Sequence, residues 1–112
     1  MSKINLSDKL SQFEGHWQPR VIGAFNGHDL MVVKVKGQFP WHSHPDTDDF
    51  FQVLHGKMTI RMRDGEVTLK AGEVFVVPKG VEHAPFAIQR LGDQVGDDDL
   101  GKLAHDAVDL GK

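Results

Sequence analysis

His42 and His44 stand two residues apart, Asp49 follows, and a further histidine, His83, closes the stretch Pro78-Lys79-Gly80-Val81-Glu82-His83. On an extended strand His42 and His44 point to the same face, because strand side chains alternate. Imidazole nitrogens together with a carboxylate oxygen suit a divalent transition metal, with Fe, Mn, Ni, Zn or Cu favoured over Ca or Mg. The chain has no cysteine, which excludes a thiolate site and a disulfide framework; any metal must be held by His and carboxylate. Three imidazoles and one carboxylate would leave at least one coordination position open, from which a metal can polarise a carbonyl, bind oxygen or activate water. The plainer alternative for His42 and His44 is a pair of polar residues on a half-exposed strand. His83 in its own Pro/Gly frame tips the reading toward metal.

Positioning these residues falls to short strands. From Trp17 to Ile88 the chain is broken repeatedly by Gly, Pro and Asp. Gly27 to Lys36 reads as a long strand and Phe50 to Leu54 as an apolar one. Met58, Ile60 and Met62 alternate with Lys57, Thr59, Arg61 and Arg63, which predicts one buried and one wet face. Asp64-Gly65 is a hairpin signal, after which Glu66 to Lys70 returns with Val67 and Leu69 inward. Ala71-Gly72 turns again into Glu73 to Val77. Short strands at this spacing predict an all-β sandwich or barrel. Ahead of them, Leu6, Leu10 and Phe13 lie on one face of a short helix capped by Asn5 or Ser7 and ending near Gly15.

The end of the chain reads differently. After Asp97-Asp98-Asp99, the residues Leu100, Leu103, Ala104, Ala107 and Val108 recur at helical spacing, which predicts a tail helix with acidic residues at its positive end. The expected organisation is therefore a helical lead-in over 1–15, a barrel over 16–90 and an acidic, partly helical tail over 91–112.

Composition narrows the function. With 112 residues, 39% hydrophobic and 26% charged, the chain suits one globular domain. A net charge of −3 gives no basic footprint for nucleic acid, and a DNA-reading helix-turn-helix has no room. No apolar run is long enough for a transmembrane helix, and the N-terminal residues lack the apolar core of a secretory signal. A cytoplasmic location is the expectation.

Gly37 to Gly56 spells Gly-x-x-x-x-His-x-His-x-x-x-x-Asp-x-x-x-x-x-x-Gly, and Gly72 to His83 spells Gly-x-x-x-x-x-Pro-x-Gly-x-x-His. In these two motifs the sequence resembles the cupin superfamily, and His16 to Pro85 is similar to the small, stand-alone bacterial cupins, some loosely described as mannose-6-phosphate-isomerase-like. The resemblance implies a double-stranded β-helix, a small jelly-roll barrel with the metal inside. It implies that His42, His44 and His83 are metal ligands, with Asp49 where the family usually has Glu. It also implies that Gly37, Gly56, Gly72 and Gly80 sit at turns. Asp is one methylene shorter than Glu, so Asp49 is expected to reach the metal through water or by a small strand shift, given metal–oxygen bonds of ~2.0–2.2 Å. Past Ala87 the apolar sequence is short. Either a brief strand at Phe86 to Ile88 closes the barrel, or an edge is left for a second subunit, which makes a homodimer the expected assembly.

A rival assignment takes His44-Pro45-Asp46 with His83 as the facial triad of a 2-oxoglutarate oxygenase; Pro45 and Asp46 read better as turn residues. Asp46 and Asp48 read as a loop cluster, and His16, His28, His55 and His105 as surface or packing residues. Trp17 and Trp41 read first as large apolar residues, with Trp41 turned away from His42. Phe51 and Val53 share parity with Asp49 and are expected inside the barrel. Arg61 and Arg63 belong to a solvated face, and Glu82 is a loop charge or outer support for His83. Two functions follow: a small metal-dependent enzyme, oxygenase or isomerase, acting on a small polar metabolite, or a non-catalytic barrel that binds a sugar or other small ligand with a structural metal or none.

Overall fold

The computed structural model describes residues 2–87 and, as backbone, 101–106. The lead-in helix α1 spans Leu6–Leu10, capped by Asn5, whose side chain accepts from the Asp8 amide at 3.0 Å. It stops earlier than the apolar spacing predicts because the Ser11 hydroxyl donates to the Asp8 carbonyl at 2.7 Å and closes the last turn. Leu10 and Phe13 still pack together, against Val32 of the barrel.

Among the described residues nine strands follow: β1 (Arg20–Phe25), β2 (His28–Lys34), β3 (Gly37–Gln38), β4 (Asp49–Val53), β5 (Lys57–Met62), β6 (Gly65–Lys70), β7 (Val74–Val77), β8 (His83–Ala87) and β9 (Gly101–Asp106). They form two antiparallel sheets, one ordered β1-β2-β9-β4-β7 and the other β3-β8-β5-β6. Alternation decides what lies between them. In β4, Asp49, Phe51 and Val53 are buried, and Phe50 and Gln52 are only partly so. Met58 and Ile60 of β5, Leu69 of β6 and Val77 of β7 join Phe51 and Val53 in one core. Each of these side chains contributes roughly 1.5–3 kcal/mol by leaving water. The result is the expected jelly roll, its inner faces apolar except at one end.

Two sequence expectations are corrected. The segment read as a tail helix contains a strand: Leu103 and Ala104 lie in β9, between β2 and β4. The gap between those strands offers hydrogen-bond partners on both sides, and Gly101 is a poor helix former, so tertiary pairing overrides the helical spacing. Leu100, Ala107 and Val108 lie outside the described residues, as does Ile88. The second concerns closure past Ala87, for which the sequence left open a brief strand at Phe86 to Ile88 or an edge for a second subunit: the gap between β2 and β4 is filled by a third route, this chain's own β9. The hairpin at Asp64 forms one residue early, with Arg63 and Asp64 in the turn and Gly65 opening β6 opposite Met62.

Candidate metal centre

His83 begins β8 and Asp49 begins β4, which brings the two residues to the same end of the barrel from opposite sheets. His42 sits on the segment facing β8. Its backbone exchanges both hydrogen bonds with His83, His42 N–H to His83 O at 3.0 Å and His83 N–H to His42 O at 2.9 Å. His44 is held two residues on by the Gly80 amide, which donates to its carbonyl at 2.8 Å. The Lys79 amide donates to the Asp48 carboxylate at 2.9 Å, so the Pro78–Gly80 turn is tied to both halves of the first motif. Gly80 has φ +81°, a left-handed conformation that a side chain would strain, and the other three motif glycines also have positive φ.

The side chains converge. One donor atom from each of His42, His44, Asp49 and His83 lies within 4.8 Å of all the others. Asp49 Oδ2 is 3.1 Å from His83 Nε2 and 3.4 Å from His44 Nε2. His83 and Asp49 are buried, while His42 and His44 are partly open to solvent.

Backbone carbonyls orient two of the rings. His42 Nδ1 lies 2.9 Å from Pro40 O, and His83 Nδ1 lies 2.9 Å from Val81 O. A carbonyl can only accept, so each Nδ1 carries a proton, and a ring without a second proton turns its Nε2 lone pair toward the site. For His83 that lone pair would face the Asp49 carboxylate, acceptor against acceptor. Such a pair needs a shared cation, either a proton on Nε2 or a metal ion. Burial pushes the His42 pKa below its ordinary 6.5; the Pro40 carbonyl pulls upward, His83 and His44 push down, and Asp49 pulls up. A lowered pKa favours the neutral, ligating ring. Two donors ~2.1 Å from one ion stand at most about 4.2 Å apart, so the cluster needs only a slight contraction to hold one.

Asp46 and Asp48 are exposed, and Asp46 is absent from the cluster, against the His44/Asp46 rival assignment. His55 is exposed as expected. Trp41 is turned outward, where the Arg63 guanidinium lies 3.8 Å from its ring centre, with Arg61 5.6 Å away. Glu82 pairs with Arg63 at 3.0 Å instead of supporting the His83 ring. Arg63 thus touches both residues that immediately precede His42 and His83.

A cavity of about 210 Å³ opens beside the cluster. His42, His44 and Asp49 form its polar side. The opposite walls are apolar, with Met31 and Val33 from β2, Phe51 from β4, and Trp17, Phe39 and Pro85. Trp17 was not legible as a site residue. It has φ +59°, which is rare for a bulky side chain and costs on the order of 1–3 kcal/mol. Its amide donates to Lys34 O at 2.7 Å and its indole N–H to Lys36 O at 2.8 Å, which anchors it to β2 and the residues just after. Its ring lies 4.9 Å from that of Phe39, which in turn meets His42 edge-on at 5.1 Å.

Residues 29–89 match the cupin domain family. A crystal structure of a cupin-2 domain protein from Shewanella frigidimarina is 42% identical, superposes with a TM-score of 0.82, and is matched over 93% of each chain. The Bacillus subtilis protein YdbB is 38% identical over 63 residues, 55% of this chain and 56% of that one. A 3-hydroxyanthranilate 3,4-dioxygenase from Jannaschia is 36% identical over 69 residues, 55% of this chain but only 38% of that enzyme. These matches to the curated relatives therefore span about half or less of their length. A family match over more than half of the chain, a near full-length likeness in fold and sequence, and the His/Asp cluster at the barrel's end agree: the chain belongs to the cupin family.

Proposed function

We propose that this cupin is a metal-dependent oxygenase of a small organic substrate, with His42, His44, Asp49 and His83 holding one divalent transition metal drawn from Fe, Mn, Ni, Zn or Cu. The observation that carries the proposal is the convergence of four donor atoms within 4.8 Å beside a cavity large enough for a small molecule. The stretch similar to a 3-hydroxyanthranilate 3,4-dioxygenase favours oxygenation over isomerisation. In a dioxygenation both atoms of O₂ enter the product, so no external reductant is consumed.

When bound, the metal would supply a Lewis acid with open positions at which a substrate oxygen is polarised and, for the redox-active members of the set (Fe, Mn, Ni or Cu, but not Zn), dioxygen is activated. The chain's own residues do the rest. Pro40 and Val81 carbonyls hold the His42 and His83 rings with Nε2 toward the site. Asp49 would bring a negative charge that offsets part of the cation's charge, and the apolar walls offer water no hydrogen-bond partner on their side of the cavity. No separate nucleophile is required.

The protein is further proposed to act in the cytoplasm, without nucleic acid or membrane, as a homodimer. With β9 filling the gap between β2 and β4, the support for pairing moves to β7, an outer strand with Val74 and Val76 exposed. Light scattering on the eluting protein tests it, and a monomer mass at all concentrations overturns it.

Elemental analysis of untagged protein purified without chelators, beside a His83→Ala variant, tests the metal. One stoichiometric metal in the wild type that disappears in the variant supports the site, and oxygen uptake by the loaded protein with an added substrate supports the reaction. Wild-type protein that stays metal-free after reconstitution with all five metals overturns the proposal.

A further inference from the structure

Among the described residues, apart from His42, His44 and Asp49, the cavity walls are apolar, and three of them carry aromatic rings, Trp17, Phe39 and Phe51. Trp17 is the telling one. Its only hydrogen-bonding side-chain group, the indole N–H, is spent on Lys36 O, so the ring meets the cavity as a purely apolar surface. It is held there at a backbone conformation that most large residues avoid, anchored by a second bond to Lys34 O. Strain of this kind persists only when the surroundings enforce it, and it gathers at ligand clamps. A sugar would leave its hydroxyls unpaired against such walls, at a cost for each one buried. A planar ring would instead bury its faces and stack on Trp17.

Size limits the ring. An apolar cavity of about 150 Å³ takes up benzene. At about 210 Å³ this one has room for a single ring with one or two small substituents. The polar side of the cavity then fixes the orientation, because an oxygen substituent is the group that an open metal position would accept.

We propose that the cavity takes a single-ring hydroxylated aromatic, of the phenol or catechol class, with its ring face against Trp17 and its hydroxyl oxygen toward His42, His44 and Asp49. The ring half of the proposal rests on the cavity alone. The oxygen half rests on the metal site proposed above.

The chain has two tryptophans, so a Trp41→Phe background leaves Trp17 as the single indole reporter. In that background, catechol added to metal-free protein quenches the Trp17 emission saturably, and glucose at the same concentrations does not. On Co²⁺-loaded protein, 4-nitrocatechol binds with a shift in its visible absorbance. In the otherwise wild-type chain, Trp17→Ala weakens this binding about tenfold and Trp17→Phe by less than about threefold, as expected for loss and retention of a stacking face. Co²⁺ affinity, measured by competition with a chelator, stays unchanged in both variants, which separates ring binding from damage to the metal site. Equal 4-nitrocatechol affinity in Trp17→Ala overturns the proposal, as does glucose quenching Trp17 while catechol does not. Failure of the wild type to take up Co²⁺ counts instead against the metal site, and the quenching in metal-free protein still decides the ring.

Discussion

Asp49 brings a side chain one methylene shorter than the glutamate that the family usually places there, yet its Oδ2 comes within 3.1 Å of His83 Nε2. Its backbone is fixed at the start of β4, paired with Val77 of β7 on one side and Asp106 of β9 on the other. Asp49→Asn keeps the shape and removes the charge. It is expected to weaken metal uptake by at least the ~10–100-fold that loss of an outer partner costs, as read by chelator competition. His42 supplies a pH signature. Its folded pKa is depressed by burial, so between the unfolded value of 6.5 and the lower folded value the unfolded chain takes up a proton that the native one refuses. That stability is fully present above 6.5 and is lost as pH falls through the window. Metal-free wild type is therefore expected to lose stability relative to His42→Gln between about pH 7 and about pH 5, and parallel urea midpoints at both pH values would refute this.

At the scale of elements, the outer face of the barrel holds the inner one in place. Arg63, in the β5–β6 turn, stacks on Trp41 and pairs with Glu82, so one side chain grips the residues preceding His42 and His83. Both partners of the ion pair are more than half exposed, so the pair itself is worth little. Arg63→Ala is expected to cost under about 1 kcal/mol of stability while loosening metal binding a fewfold; chelator competition and thermal melts on the same preparations separate the two. In β9, Ala104 pairs with Met31 on one side and Phe51 on the other. Proline there breaks the ladder, and Ala104→Pro is expected to destabilise the protein by ~3 kcal/mol or more in denaturant titrations. This strand also marks where sequence reading ran out. The spacing of Leu103 and Ala104 is equally at home on a helix, and only the gap between β2 and β4, built from residues some seventy and fifty positions earlier, decides for a strand. The four candidate ligands were legible because their spacing is a property of the chain. Trp17 was not, because its role depends on a left-handed turn and on anchors at Lys34 and Lys36 that exist only once β2 is folded.

For the molecule as a whole, the barrel is apolar through most of its length and polar at one end, and the same alternation serves both parts. Along β4, Asp49 faces the site, Phe51 lines the cavity and Val53 enters the core. Phe51→Ala is therefore expected to cost ~3–5 kcal/mol of stability and to enlarge the cavity at the same time, as thermal melts and ligand titrations on one variant would show. The place of β9 carries a consequence for biosynthesis. It is the middle strand of its sheet but comes after every other described strand in the sequence. A nascent chain that has emerged only as far as β8 presents two bare edges, on β2 and β4, with the pairing partner of both still inside the ribosome. Ribosome-stalled chains ending before residue 101 should accordingly exchange the β2 and β4 amides freely and recruit chaperones, and chains whose β9 is carried clear of the exit tunnel on an added C-terminal linker should do neither.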